Sequence, residues 1–536
     1  SSGELNRDDL NQDAARLNAF YHTKGHIQAK VGEPEVVFKD NWIDITIKIE
    51  EGPRYKVGKV TASGDLIIPV EKILEKTKIG KETYCNREVI RSDILTLNDI
   101  YSDEGFGYAE VNPILTKDEK NLTADINYQI SKKKQMYIEK IIISGNTTTR
   151  DKVIRRELDV YEDELYSGSK VKRGIRNLKR LDYFKDVKVD TAKGSGDDKM
   201  ILKFEVDEKP TGQFSFGGGY SSIEKAFIMG SVSERNLFGR GQIIQLKGQI
   251  GSVTNRYTLS FTEPYLFDMP LSAGFDVYNW EVSYDTYDRY SKGGAVRFGY
   301  PVWDYTRLYL SYGYDISDIE NVTEEASDLV KDMEGRYITS SVTSRLNYDS
   351  RDRMFNPTEG GDHSISVQYA GIGGDIGFVK YIAEIGQYVP LFWGTTGFLH
   401  ARGGYVKENP DKKLPDYERF YLGGMNSVRG FDWQDISLLD ENGDQIGGTA
   451  FVQFNVEYLI PLIKEAGVVG VLFYDTGNVY EGYDNITLNN LRQSAGYGFR
   501  WYSPMGPIRI ECGYILDPKD GESKSGKWEF TMGGAF

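Results

Sequence analysis

The sequence predicts two folds in one chain: tandem α+β repeats over residues 1–209, then an all-β transmembrane barrel of about 16 antiparallel strands over residues 210–536. Three observations predict it. A short motif recurs near residues 21 and 101, and a fixed period of this kind marks repeated units. Helical periodicity stops after Asp207-Glu208-Lys209-Pro210, where alternating segments with aromatic ends take over. The chain is rich in Tyr (37), Phe (25) and Gly (58), yet mean hydropathy is −0.47 and no apolar run reaches the ~18 residues that a membrane-crossing helix needs. Strands that alternate their faces hide from a hydropathy average, so these figures exclude helical spanning and leave a barrel open.

The totals narrow the function classes. At 536 residues the chain exceeds one ordinary domain. Its 80 acidic against 65 basic side chains, a net charge of −15, argue against nucleic acid as a partner. Cys85 and Cys512 lie far apart in different kinds of segment, which speaks against a disulfide framework or a Cys-based metal site. Four histidines, no nucleophile motif and no metal-ligand cluster give no support for an enzyme, a cofactor or a bound metal. Ser1-Ser2-Gly3-Glu4 carries no charged-then-apolar leader, and a barrel must be exported, so a processed or truncated chain is expected.

In the first stretch, Tyr21, Gly25, Ala29 and Val31 align with Tyr101, Gly105, Ala109 and Val111 at an offset of 80 residues. Ala62-Ser63-Gly64-Asp65 recurs as Ile143-Ser144-Gly145-Asn146 at an offset of 81. Each full unit reads as a strand (55–61; 137–143), a Gly-Asp or Gly-Asn turn, a helix (69–77; 149–158), a second helix (87–104; 169–181) and two closing strands (109–116 with 122–130; 184–191 with 200–206). Val89, Ile90, Ile94, Leu95 and Leu97 show the helical stripe. The unit boundaries are 1–53, 54–133 and 134–209. The first unit begins inside its own second helix, near 8–23, so its opening strand and helix are missing and the natural chain is expected to continue upstream. Strand-helix-helix-strand-strand in tandem resembles the polypeptide-transport-associated (POTRA) domain. A small sheet of this kind leaves an edge strand with unpaired backbone groups, to which an extended peptide can add through bonds that do not read sequence.

From 210 onward, strands are predicted at 213–222, 225–234, 241–251, 256–263, 270–281, 291–301, 305–317, 335–349, 361–372, 376–390, 394–407, 446–461, 467–477, 491–504, 507–516 and 526–536. Val379, Tyr381, Ala383 and Ile385 alternate with Lys380 and Glu384, so the apolar set should face lipid and the charges the lumen. Ile508, Ile510, Cys512 and Tyr514 alternate with Arg509 and Glu511 in the same way, which makes Cys512 a small lipid-facing residue. An even strand count puts both ends of the barrel on one side, that of the soluble repeats.

A polar insertion, 408–445, separates two of these strands on the opposite side. It carries Glu418-Arg419-Phe420-Tyr421-Leu422-Gly423-Gly424 and then Asn426-Ser427-Val428-Arg429-Gly430-Phe431. A solvated loop has no local reason to set one Arg amid Gly and aromatics. The block 418–431 resembles the loop signature of the outer-membrane assembly superfamily, and with the repeats before it and the strands around it the resemblance covers essentially the whole chain. It implies that the loop folds back into the barrel and that Arg429 is held by acidic residues on the wall. The lumen-facing set of the next strand is Phe451, Gln453, Asn455 and Glu457, which makes Glu457 the first candidate partner. Asp475 is the second; the family pattern places an acidic residue at both positions, but the strand before Asp475 is apolar on both faces, so periodicity favours Glu457.

The first strand holds Phe214, Phe216, Gly217, Gly218 and Gly219, and the last holds Gly533, Gly534 and Phe536. Glycine weakens a strand interior, so the two could form a seam that opens sideways; glycine for barrel curvature is the equally weighted alternative. Phe536 resembles the terminal aromatic that marks outer-membrane barrels for assembly. The resemblance implies an insertase in the outer membrane of a Gram-negative-type bacterium, with its POTRA repeats in the periplasm. Its implied partners are unfolded β-barrel clients, the accessory lipoproteins of an assembly complex, periplasmic chaperones and the lipid bilayer. A related translocation-and-assembly factor and a two-partner secretion translocator stay open as alternatives. A passive porin explains the barrel but not the repeats.

Overall fold

A computed structural model describes residues 6–39, 42–221, 225–503, 506–519 and 522–532. The chain divides into two compact units, Ser1–Pro210 and Thr211–Phe536.

In the first unit, α1 (Arg7–Thr23) is capped by the Asn6 side chain, which accepts from the N–H groups of Asp8 and Asp9. Short strands follow: β1 (Lys30–Val31) pairs with β4 (Ile49–Glu50), and β2 (Glu35–Lys39) with β3 (Trp42–Thr46). The middle repeat runs β5 (Lys56–Gly64), α2 (Val70–Lys76), α3 (Arg87–Asp103), β6 (Glu110–Asp118) and β7 (Thr123–Ser131). The last runs β8 (Tyr137–Ser144), α4 (Asp151–Arg155), α5 (Gly168–Leu181), β9 (Phe184–Lys193) and β10 (Lys199–Glu208). The sheet orders are β5-β7-β6 and β8-β10-β9. The first strand of each repeat pairs in parallel with the last, which demands a crossover, and the two helices supply it. Ile73, Ile90, Leu97, Ile126 and Tyr128 form one core; Val153, Ile154, Leu178, Leu202 and Phe204 form its counterpart.

The repeated glycine has a steric reason. Gly64 (φ +98°) and Gly145 (φ +85°) end the first strands, and a Cβ there would lie 2.1 Å and 2.0 Å from the carbonyl oxygens of Ile130 and Val206. The joints between repeats also recur: Tyr55 N–H donates to Gly25 O (2.9 Å), and Met136 N–H to Gly105 O (2.8 Å). The helix expected at 149–158 is shorter, because Leu158 leaves it to press on α5 at Gly174, where a Cβ would meet the Leu158 Cα at 3.2 Å.

Glu208 ties the end of β10 to the turn before α4. Its carboxylate accepts from the N–H of Thr147 (2.9 Å), Thr148 (2.8 Å) and Thr149 (2.6 Å) and from the Thr147 hydroxyl (2.8 Å). Burial alone would raise this carboxyl, but the bonds from Thr149, Thr148 and Thr147 outweigh it and hold it at about 2. A depressed carboxyl stabilises the fold fully above its unfolded value of about 4.5 and loses that contribution as pH falls toward 2. Glu208→Gln is therefore expected to weaken this repeat at neutral pH and to flatten its acid sensitivity between those two values. Limited proteolysis of the full chain across that range reads the difference.

The second unit is a closed barrel of 16 strands, each antiparallel to the next. They are β11 (Gly212–Ser221), β12 (Lys225–Leu237), β13 (Gln242–Gly251), β14 (Thr254–Glu263), β15 (Ser272–Ser283), β16 (Asp288–Trp303), β17 (Thr306–Glu320) and β18 (Gly335–Asp349). Beyond a short helix, α6 (Asp328–Lys331), in the β17–β18 loop, the rest are β19 (Gly360–Gly374), β20 (Phe378–Pro390), β21 (Thr396–Glu408), β22 (Ala450–Ile463), β23 (Val468–Tyr480), β24 (Arg492–Ser503), β25 (Gly506–Ile515) and β26 (Lys527–Met532). β16 and β17 run about three residues further than the alternation predicts at the barrel end opposite its first residues. The added ends, Asp288-Arg289-Tyr290 and Asp318-Ile319-Glu320, are mostly charged, so too few apolar residues carry the period into them.

The face assignment holds on β20: Tyr381 and Ile385 are exposed on the outer surface, while Lys380 Nζ bonds Glu418 inside. Cys512 needs a correction. It lies on the outer face, but its cross-strand neighbours Tyr497 and Trp528 meet edge to face at 5.9 Å over it and leave it 1% exposed, so it does not contact lipid. The ring closes through Tyr220↔Met532 and Ser221↔Thr531, the two described pairs between β11 and β26. Gly533, Gly534 and Phe536, and the turn at Pro504-Met505, lie outside the described residues.

Candidate functional site: the inward loop and the closing strands

Residues 409–449 join β21 to β22, and their central part packs inside the barrel. At its base Lys380 Nζ holds the Glu418 carboxylate at 3.0 Å, Arg419 pairs with Glu481 at 3.3 Å, and the Phe420 ring packs on Phe451 at 4.6 Å. Two ladder pairs, Phe420 with Gly448 and Leu422 with Ile436, make the loop a narrow hairpin. Its tip is tight because Gly423 (φ +113°) and Gly424 (φ +88°) turn it; a Cβ on Gly423 would lie 2.1 Å from Asp432 O. Ser427 closes the turn, accepting from Gly423 N–H at 3.0 Å. Val428 and Phe431 are fully buried on either side of Arg429 and join a cluster with Leu422, Ile436, Phe451 and Val479.

Arg429 is 2% exposed. Its Nε and Nη2 grip the two oxygens of Asp475 at 2.6 Å each, and its own backbone N–H adds a third bond to the same carboxylate at 3.1 Å. Nη1 reaches Glu511 at 2.7 Å and Glu457 at 2.8 Å. The guanidinium also lies 3.6 Å above the Phe473 ring. Two further arginines complete the cluster. Arg500 forks onto Glu457 (2.6 and 2.8 Å) and bonds Glu511 (2.8 Å); Arg509 bonds Glu511 and reaches back to Asn426 (3.1 Å). Three guanidiniums thus face three carboxylates, which is how a buried site avoids an uncompensated charge. Asn455 bridges wall and loop, giving its amide N–H to Asp475 and to Ser427 O, each at 2.8 Å.

The periodicity ranking of the two candidate acids is reversed. Asp475 takes the fork, and Glu457 gives its fork to Arg500. The inner face of β23 below Asp475 is apolar because Val469, Val471 and Phe473 pack against Leu459 in the lumen, so alternation gave no sign of the carboxylate. Glu511 was legible as lumen-facing, but nothing local linked it to Arg429. Gly513 was missed as well. The loop tip lies flat against it: a Cβ on Gly513 would meet Gly430 N at 2.6 Å, and one on Gly430 (φ +92°) would meet the Gly513 carbonyl carbon at 3.0 Å. Gly513→Ala is expected to push the tip off the wall and lower barrel stability by about 2 kcal/mol, an overpacking penalty read by thermal unfolding in detergent.

The loop also holds the last strand. Lys527 Nζ bonds Phe431 O at 3.2 Å and pairs with Asp432, and Gly430 N–H donates to the Glu529 carboxylate. Across the seam, Gly219 allows the closest approach, since a Cβ there would lie 2.1 Å from Met532 O and 2.4 Å from the Phe227 ring. A Cβ on Gly218 would come 3.2 Å from Phe227 O, whereas one on Gly217 would meet nothing within 4 Å. Phe214 and Phe216 stand on the outer surface, 76% and 72% exposed. No group of acidic, His or Cys side chains that could hold a metal occurs among the described residues.

Comparison with known proteins places this architecture. A model of the Omp85 superfamily domain matches residues 236–536, and one described as surface antigen variable number repeat (POTRA) matches 2–52, 55–133 and 136–209. The chain is 33% identical to outer membrane protein assembly factor BamA of Nitratidesulfovibrio vulgaris, over 100% of this chain and 69% of that one. It is 26% identical to BamA of Neisseria meningitidis, over 100% and 74% of the two chains. Its fold is similar to the crystal structure of Haemophilus ducreyi BamA lacking POTRA domains 1–3, with a TM-score of 0.71 at 23% identity over 89% of this chain and 99% of that one. The chain belongs to the Omp85 superfamily, as an outer-membrane β-barrel preceded by periplasmic POTRA repeats.

Proposed function

We propose that this chain folds and inserts β-barrel proteins into the outer membrane; its BamA relatives are outer membrane protein assembly factors. The observation that carries the reading is the connection between lock and seam: the loop tip bearing Arg429 is bonded to Lys527 and Glu529 of the strand that closes the barrel. Releasing β26 from β11 would expose unpaired backbone groups in hydrocarbon, which is costly unless another strand pairs them. An unfolded client strand is such a partner, so the seam would act as a template with no catalytic residue. Upstream, β6 and β9 are the outer strands of their three-stranded sheets and offer edges where an extended client could add before it reaches the barrel. Accessory lipoproteins and periplasmic chaperones belong to the same proposal as partners that deliver clients.

Depletion of the protein in its host tests the reading. General loss of outer-membrane barrels is the expected result. Loss of a single secreted polypeptide with barrels unaffected would instead assign a secretion translocator.

A further inference from the structure

A cavity of about 290 Å³ lies inside the barrel between the inward loop and the wall. Arg402 of β21 and Phe451 of β22 line it on one side; Arg419, Phe420, Asn426 and Trp433 of the loop line it on the other. Its charge is one-sided. The lumen arginines described above form close ion pairs, whereas Arg402 makes none within 4 Å among the described residues, although Glu384 lies opposite it. Its cross-strand neighbours are Glu384, which is bonded to His400 at 3.0 Å, and Gln453, whose amide is turned to Asn455 at 2.8 Å. The Nε–H of Arg402 is buried without an acceptor. Arg419 repeats the pattern: Nη1 reaches Glu481 at the water-exposed rim, while its Nε–H, also buried, has no acceptor. Two arginines, each with one buried donor unmade, therefore line one polar hollow, and a buried donor left unmade is expensive.

We propose that this cavity binds a carboxylate carried by a polypeptide segment lying in the lumen, clamped between Arg402 and Arg419. A carboxylate matches the flat fork of a guanidinium. The rest of the lining suits a peptide better than a free phosphate. The rings of Phe420, Phe451 and Trp433 would cover the aliphatic stem of an Asp or Glu, and the amide of Asn426 can meet a main-chain group beside it. A strongly hydrated dianion would lose more hydration against those rings than a single carboxylate does. The inference rests on the proposed function only in supposing that unfolded chains reach the lumen.

The test uses the full chain in detergent micelles and follows Trp433 fluorescence, with Trp433→Phe as the blank. The probes are a blocked Gly-Ser-Asp-Ser-Gly pentapeptide, its Asn counterpart and inorganic phosphate. Saturable binding of the Asp peptide at least about tenfold tighter than the Asn peptide is expected, the size of a lost charge-assisted bond. Arg402→Met and Arg419→Met should each weaken it about tenfold, while Arg402→Lys keeps part of it. Unchanged unfolding temperatures in these variants keep the comparison valid. Equal affinity for the two peptides, binding that survives the double Met variant, or binding of phosphate in place of the Asp peptide would each overturn the proposal. Client insertion is measured separately in proteoliposomes, so a chain that binds the peptide but inserts nothing refutes the assembly reading and leaves the site standing.

Discussion

Replacing Arg429 with alanine is expected to destabilise the barrel by about 3–5 kcal/mol, the usual penalty for removing one partner of a buried ion cluster. The substitution leaves Asp475, Glu457 and Glu511 facing only Arg500 and Arg509, and Asp475 loses both bonds from the guanidinium while keeping the one from the residue 429 backbone N–H. The loop tip should then leave the wall, taking with it the contacts to Lys527 and Glu529. Arg429→Lys keeps a charge but cannot fork, so an intermediate loss is expected. The informative comparison is neutralisation of both partners. Arg429→Met with Asp475→Asn removes the orphaned carboxylate as well, and should cost less than Arg429→Met alone. Thermal unfolding followed by circular dichroism in detergent, or by the heat-dependent mobility shift of folded barrels on gels, ranks the four proteins. Wild-type melting of Arg429→Ala would show that the loop is held by its apolar cluster and not by this charge network.

What was legible follows from the range of each interaction. The barrel strands could be read because a lipid-facing row and a lumen-facing row impose a period of two that each strand carries in its own residues. The ends of β16 and β17 escaped because Asp288, Arg289, Asp318 and Glu320 outnumber their apolar neighbours Tyr290 and Ile319, and a mostly charged stretch reads as loop. The repeats were legible from Gly64 and Gly145, whose positive φ and close approach to a neighbouring carbonyl admit no side chain. The site was half legible. Arg429 stood out as a charge in an apolar tip, and Glu457 sat in a clean alternation. Asp475 was masked by the apolar patch of Val469, Val471 and Phe473, which serves the lumen rather than lipid. Glu511, Gly513, Lys527 and Glu529 join the loop across at least 80 residues of sequence, and contacts of that separation leave no local pattern. The one available sign was charge balance: a buried arginine facing several lumen acids predicts further arginines among the lumen-facing positions, and Arg500 and Arg509 occupy two of them.

Fastening the seam should abolish client insertion while leaving the barrel folded. Tyr220 and Met532 are direct partners across β11 and β26, and opposed residues on antiparallel strands bring their Cβ atoms within about 5 Å, close enough for a disulfide after small adjustment. Tyr220→Cys with Met532→Cys, in a chain where Cys85 and Cys512 are serine, provides the pair. Oxidised protein reconstituted into vesicles is expected to insert an unfolded barrel client at least about tenfold more slowly than the reduced form, and reductant should restore the rate, because a covalent bond removes the only low-cost route to a free strand edge in lipid. The opposite perturbation acts on the same step. Lys527→Met and Glu529→Met each remove a bond between loop tip and last strand, so the seam should open more readily and insertion should quicken, with some loss of thermal stability. If lock and seam were independent, those two variants would leave the insertion rate unchanged, and if clients entered elsewhere, the oxidised protein would insert as fast as the reduced. The two results together separate a barrel that lends its edge from one that only disturbs the surrounding bilayer: the disulfide stops the first and spares the second.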